Sequence, residues 1–376
     1  MTGRDAGLVV RALGARLELD TKQTQYRGHA GKLAANSVAD GYDLVVTFSG
    51  DGTVNEVVNG LMQVPDAADR PAIAPIPGGG ANVFARTLGL PPDAGGAVQR
   101  ILAAVTAGER RKIGLGLAGD RYFTFSAGLG VDAEVIGDME RQRAHGRRAS
   151  LAAYLRTAVR RYYRTDRSRP ALTLRVPGQA PVHSLFMGVV TNSSPWTYLG
   201  SHPVRPAHAD FSSGLDLFAL RRLRTLTTLA ALGHMMHSNN EELPAGRDVV
   251  SAAALSELTF EADRPIAYHI DGEYLGETES VAFRFVPDAL CVVALRNSQP
   301  KGLSRHTGHG SGASPDTRRT GLLPGDTTGL RAVECPIRWR FLLSGATERK
   351  PVTDLTSFSC CLFAAPSCAD SALLRG

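Results

Sequence analysis

Two glycine turns and one carboxylate pair hold the side chains best suited to chemistry in this sequence. The first turn, Ser49-Gly50-Asp51-Gly52-Thr53-Val54-Asn55-Glu56, follows an apolar run at residues 44–48 and opens a helical pattern in Val54, Val57, Val58 and Leu61. Backbone amides and the positive end of a helix dipole favour phosphate at such a place. The glycines let the main chain approach an anion, Thr53 offers a hydroxyl, and Asp51 can hold a metal or fix the loop. A plain strand-turn-helix connection with capping Asp and Thr explains one such loop as well as a nucleotide does. A second loop, Pro77-Gly78-Gly79-Gly80-Ala81-Asn82, follows the next apolar run at residues 72–76. Both turns then lie on the carboxyl edge of one parallel sheet, where ligands bind. No Gly-Lys-Ser/Thr follows and the dinucleotide spacing is absent, so neither standard phosphate motif fits. Late in the chain Asp271 and Glu273 flank Gly272. A carboxylate can accept the proton of an alcohol while a phosphoryl group transfers to its oxygen. The plainer reading is an Asp-Gly hairpin turn, and it is the upstream loops that tip the balance.

The elements that position these groups fall into two textures. Residues 6–107 alternate helical and strand patterns, the rhythm of a parallel sheet covered on both faces. From about residue 110 the pattern becomes many short strands of period two or β-branched character, which predicts a mainly antiparallel domain. Two helical segments interrupt it, at residues 151–164 and 225–237. The first has a stripe of Leu151, Tyr154, Leu155, Ala158 and Tyr162 that predicts an inward face.

Length and composition limit the meaning of these motifs. At 376 residues the chain is long enough for two cores, and 43% hydrophobic with 21% charged residues is the balance of a folded protein. No uninterrupted apolar run reaches signal-peptide or membrane-spanning length. All cysteines except Cys291 lie at or beyond Cys335, without zinc-ribbon spacing, so neither disulfides nor structural zinc are expected. A net charge of +6 permits attraction to nucleic acid or to an anionic membrane. Sparse aromatic interleaving and the lack of a recognition motif argue against nucleic acid. The arginines Arg141, Arg143, Arg147, Arg148, Arg156, Arg160, Arg161 and Arg164 suit a membrane surface, or simply a solvated helix face.

The run SGDGTVNEVVNGL at residues 49–61 closely resembles the signature of the diacylglycerol and sphingosine lipid kinases. PGGGANVFARTLGLP at 77–91, FSAGLGVDAEV at 125–135 and HIDGEYLG at 269–276 resemble that family's later segments in order and spacing. The resemblance spans roughly residues 8–296. It implies an N-terminal α/β nucleotide domain like that of NAD kinases and phosphofructokinases, residues 1–108, and a C-terminal β-sandwich lipid domain, residues 109–297. It implies ATP with Mg²⁺, and a lipid alcohol as acceptor, diacylglycerol in the first place and a sphingoid base or ceramide otherwise. Ser49 in place of the first glycine also occurs in sphingosine kinases. Family nucleotide contacts map onto Thr24, Ser49, Gly50, Asp51, Gly52, Thr53, Asn55, Glu56, Gly78, Gly79, Gly80 and Asn82, with Asp51 nearest the metal. The base is one of Asp271 and Glu273, and Asp271→Asn is expected to abolish transfer while sparing ATP affinity. Gly80 departs from the family's Thr or Ser, and Val83 from its usual acidic residue. Ser212 and Ser213 stand where some members hold a structural Mg²⁺, so that site is not expected intact. Trp196 and Tyr198 are expected to pack or to line the lipid cleft. With neither an anchor nor a lipidation motif, a cytoplasmic protein that visits the inner membrane face reversibly is expected, and a homodimer is left open.

The two ends fit this pattern less well. The first element is a helical pattern at residues 6–17, where the family begins with a buried strand and an Asn-Pro-x-Ser-Gly type loop. A catalytic unit lacking that strand is expected to be poorly soluble and weakly active. After Asn297 periodicity collapses, so residues 298–376 are expected to be disordered or unrelated to the family, and their deletion harmless.

Overall fold

In the computed structural model the alternating first region folds as a sheet wound on both faces. The structure describes residues 3–65, 70–146, 150–200, 202–205, 209–237, 243–293 and 360–364. The order begins α1 (Gly3–Gly14), β1 (Asp20–Gln23), α2 (His29–Ala39), β2 (Leu44–Ser49), α3 (Asp51–Met62), β3 (Ala72–Pro77), α4 (Val83–Thr87) and α5 (Ala94–Thr106). Strands β2 and β3 are parallel, in register from Leu44 opposite Ala72 to Ser49 opposite Pro77. Leu44, Val46 and Phe48 pack with Leu13 of α1 and Ile101 of α5. Val45 and Ile73 point the other way, onto Ala34 of α2, Val57 of α3 and Phe84 of α4. Burial on both faces is why these strands read as unbroken apolar runs.

The second region runs β4 (Arg110–Ala118), β5 (Arg121–Phe123), β6 (Ser126–Gly130), α6 (Val131–Ala144), α7 (Leu151–Arg164), β7 (Leu172–Arg175), β8 (Val182–Leu185) and β9 (Met187–Thr191). It continues through β10 (Thr197–Leu199), β11 (His202–Val204), β12 (Leu215–Leu220), α8 (Thr225–Met236), β13 (Val249–Leu255), β14 (Glu257–Ile270) and β15 (Glu273–Val293). Its core gathers Leu129, Leu174, Val190 and Leu217 around Phe283, whose ring meets Phe123 and Phe260 edge-on.

The two regions share one sheet, ordered β1-β16-β2-β3-β15-β14-β6-β9-β12-β13, where β16 is Cys360–Ala364. Strand β15 makes the join. It leaves the Asp271-Gly272 turn paired antiparallel with β14 and ends parallel to β3, with Val292 beside Ile73. The long hairpin thus fixes its turn against the carboxyl edge of the first region.

Strand β16 departs from the expectation for the tail. It lies antiparallel between β2 and β1, with Cys360 opposite Phe48 and Phe363 opposite Asp20. The outer edge of β2, where an upstream strand was expected, is a row of ladder groups that any short β-forming segment can pair. The other residues of 298–376 lie outside the described residues. Deletion of 300–376 would therefore uncover β2, and it is expected to lower the melting temperature by several °C, at about 2–4 °C per kcal/mol for a domain of this size. An unchanged melt would restore the reading of the tail as dispensable.

Candidate active site

The site begins with the two glycine loops, which touch each other. A Cβ on Gly79 would stand 2.6 Å from the Cα of Gly50, so only glycine permits this approach. Gly78 N–H donates to the Ser49 carbonyl at 2.9 Å, extending the β2–β3 pairing into the loops. Asn82, left-handed at φ 49, closes the second loop: its Oδ1 accepts from Gly79 N at 2.8 Å and its Nδ2 donates to Gly79 O at 2.9 Å. Around Gly52 and Gly80 nothing lies within 4 Å of where a Cβ would be. Helix α3 makes its first internal bond from Val54 N to Gly50 O, with no side-chain cap, so the amides of residues 51–53 lie ahead of the helical ladder. The result is a glycine floor at a helix N-terminus, open on one side, and it fits a phosphate chain.

Asp51 ties the loops together. Its Oδ2 accepts from Val83 N at 3.1 Å and its Oδ1 from Phe84 N at 3.2 Å. Desolvation pushes its pKa up to about 6 against the opposing pull of these amides. Each oxygen accepts one of these amides and keeps a lone pair, so the tie between the loops leaves Asp51 able to serve also as the metal ligand that the sequence suggests. Among the described residues no group of three or more His, Cys, Asp or Glu could hold a metal ion. Asp210 accepts from Ser212 N and Oγ, both at 2.8 Å, and Asp216 accepts from Ala254 N at 2.9 Å.

The signature's later residues face the second region. Asn55 is fully buried, and its Nδ2 donates to Asp271 Oδ2 at 2.8 Å and to Tyr122 O at 2.9 Å. One helical turn on, Asn59 brackets the same residue, donating to Tyr122 O at 3.0 Å and accepting from Tyr122 N at 2.9 Å. Gly60 lies against Gly31 of α2, so close that a Cβ would stand 2.1 Å from the Gly31 carbonyl oxygen. Glu56 accepts the Gly28 amide at 2.8 Å through Oε1, which shapes the turn after β1. Thr24 is half-buried just beyond the end of β1, and Thr53 half-buried in the first turn of α3.

The Asp271-Gly272-Glu273 turn divides the two carboxylates sharply. Asp271 is 3% exposed, and its backbone is left-handed at φ 47. Its Oδ2 accepts from Asn55 Nδ2 and Thr124 N, each at 2.8 Å, and from Thr124 Oγ1 at 2.9 Å. Its Oδ1 accepts from Phe125 N at 3.0 Å and Ser126 N at 3.1 Å. Burial raises its pKa, and the surrounding amides oppose that rise. A carboxylate so encircled by donors has no lone pair left for a substrate proton.

Glu273 differs. Its side chain is 15% exposed and ion-pairs with Arg27 from the turn before α2 and with Arg121 at the start of β5. Arg121 also donates to Asn55 Oδ1 at 2.7 Å, linking the two regions again. The sequence reading missed Arg27, Arg121, Asn59 and Thr124. Asn59 had a visible signal, its i+4 spacing from Asn55, whereas nothing local distinguishes Arg27 or Arg121 from other arginines. Tyr198 stacks on the guanidinium of Arg86 at 3.3 Å, and Trp196 packs partly buried against the Phe218 cluster.

Residues 4–116 match the model of the diacylglycerol kinase catalytic domain. The chain carries a diacylglycerol kinase catalytic domain. The kinase domain therefore takes in both glycine loops and the signature helix. A Chromohalobacter salexigens protein named "Probable lipid kinase YegS-like" is 28% identical over 298 residues, 78% of this chain and 89% of that protein. The diacylglycerol kinase of Bacillus subtilis is 35% identical over 125 residues, but these cover 33% of this chain and only 39% of that enzyme. A crystal structure of a diacylglycerol kinase from Bacillus anthracis shares the fold, with a TM-score of 0.51 and 20% identity over 72% of this chain and 83% of that one. The kinase domain and the β-rich region thus recur together in one architecture.

Proposed function

We propose that this lipid kinase transfers the γ-phosphoryl group of ATP to the hydroxyl of diacylglycerol, giving phosphatidic acid and ADP. One observation carries the reading: Arg121 ion-pairs with Glu273 and donates to Asn55, which ties that carboxylate to the helix opening from the first glycine loop, at the junction of the two regions. The floor amides bind and orient the phosphates. Glu273 accepts the alcohol proton as the alcohol oxygen attacks phosphorus, and the bond from phosphorus to the ADP oxygen breaks. Arg27 and Arg121, paired with Glu273, can stabilise the negative charge that accumulates during transfer. ATP supplies the phosphoryl group when bound. Mg²⁺ enters this reading as the nucleotide's own counter-ion, which Asp51 would help to hold.

Diacylglycerol is proposed ahead of sphingoid bases because the signature matches diacylglycerol kinases over the catalytic domain. Purified protein, γ-labelled ATP and separate mixed micelles of diacylglycerol, ceramide and sphingosine test this by chromatography of the labelled lipids. Phosphatidic acid is the expected main product. Label entering only a sphingoid phosphate would move the substrate assignment, and no labelled lipid at all would remove the kinase reading.

Gly80 offers a second check on the floor. With open space around its Cβ position and no positive φ, Gly80→Thr is expected to fold normally and to tighten ATP binding through an added hydroxyl. A hydrogen bond of ordinary strength, about 1 kcal/mol, corresponds to roughly a fivefold lower Kd by calorimetry. Weaker binding would mean that the phosphates do not pass this residue.

A further inference from the structure

The molecule must meet a water-insoluble substrate without a spanning segment among its described residues, where no helix is long and apolar enough to cross a membrane. Helix α7 has a surface suited to that task. Its sequence predicts a single inward stripe that includes Leu155, yet the structure turns Leu155 outward. Leu155, Val159 and Tyr163, at i, i+4 and i+8, are 42%, 56% and 57% exposed. Arg156, Arg160 and Arg164 run beside them at the same spacing and are exposed as well. Thr157 is the residue that α7 buries against α6, through a 2.8 Å hydrogen bond from Gln142.

Helix α8 touches α7 and carries exposed apolar side chains of its own. Tyr162 of α7 meets Thr228 of α8 at 3.4 Å, oxygen to oxygen, and Leu226 and Leu229 of α8 are 83% and 59% exposed. An exposed Leu or Val alone needs no explanation, but three large apolar side chains aligned along one helix, with two more exposed on the helix it touches, are of the kind that marks an interaction site. The parallel row of arginines decides the partner. A protein partner would leave that row facing its own polar rim, whereas a bilayer of anionic lipids takes apolar side chains at the depth of the acyl boundary and cations at the headgroups.

We propose that the exposed faces of α7 and α8 dock this protein on an anionic lipid bilayer, Leu155, Val159, Tyr163, Leu226 and Leu229 entering the interface and Arg156, Arg160 and Arg164 meeting the headgroups. The purpose of the surface rests on the lipid-kinase reading. The patch connects to the site through α6, which packs on α7 and holds the strand leaving the catalytic turn by the Tyr274 N to Glu140 Oε1 bond at 3.0 Å. A protein seated on α7 and α8 thus stands with its acceptor machinery one helix away from the bilayer.

The test is flotation of the full chain, without nucleotide, on phosphatidylcholine vesicles with and without phosphatidylglycerol. Binding is expected only with phosphatidylglycerol and should weaken with salt. Arg156→Gln with Arg160→Gln should lower the vesicle partition coefficient by about fivefold per arginine removed. Val159→Glu with Leu229→Glu should abolish flotation while the melt and the phosphorylation of lipid in detergent micelles stay unchanged, since none of these residues belongs to the site. Wild-type protein that ignores anionic vesicles, or the Glu double variant floating like wild type, would overturn the proposal. So would sedimentation showing a wild-type dimer that the Glu variant dissociates, because the patch would then be covered by a second copy. Failure of the kinase reading would show separately, as absence of lipid phosphate in micelles despite normal flotation.

Discussion

Glu273→Gln is expected to fold, to bind ATP like wild type and to lose about 10² to 10⁴ in turnover, the usual cost of removing a general base. The substitution keeps the shape of a side chain that is partly open to solvent and flanked by Arg27 and Arg121. Its glutamine oxygen can still accept from one guanidinium, so the link between the regions through Arg121 and Asn55 survives. What is lost is the ability to take a proton. The glycine floor lies on other elements, so KM for ATP should move little while kcat collapses. Turnover within a few-fold of wild type would remove Glu273 as the proton acceptor.

Asp271→Asn should fail in a different way, as a folding defect. Every donor around Asp271 points at a carboxylate oxygen: Asn55 Nδ2, Thr124 N and Oγ1 on one, Phe125 N and Ser126 N on the other. An amide NH₂ in either position confronts N–H donors with another donor, and each orphaned buried group costs about 1–3 kcal/mol. The backbone is not at issue, because asparagine adopts the left-handed region readily. A fall in melting temperature on the order of 10 °C is expected, with loss of activity tracking loss of folded protein. A normal melt with abolished transfer would instead return Asp271 to the chemistry, as the sequence reading had it.

The difference between the two carboxylates explains what could be read in advance. Strands β2 and β3, the turns after them and helix α3 were legible because local patterns dictate them: apolar runs buried on both faces, glycines where loops touch, helical spacing in Val54, Val57, Val58 and Leu61. The roles of Asp271 and Glu273 were not, since they depend on donors from Thr124, Phe125, Ser126 and Asn55, far away in sequence and brought in by the β14–β15 hairpin and β6. Asp51 shows the same limit. Its place beside a glycine suits a metal ligand as well as a loop tie, and only the structure reveals the tie, to the amides of Val83 and Phe84. Strand β16 was invisible for another reason: a short strand in a tail with no periodicity of its own is selected by the open edge of β2, with β1 on its other side. The outward turn of Leu155 follows from α7 burying Thr157 and the face beside it, a choice that depends on the neighbouring helix α6.

The most direct test of the central claim, that Glu273 and the glycine floor together move phosphate from ATP to a lipid hydroxyl, is a paired measurement of ADP release and lipid phosphate with micellar diacylglycerol. Wild-type protein is expected to form the two products one for one, and Glu273→Gln to form neither at more than about a hundredth of that rate. ADP released without lipid phosphate, or lipid phosphate formed equally fast by Glu273→Gln, would contradict it.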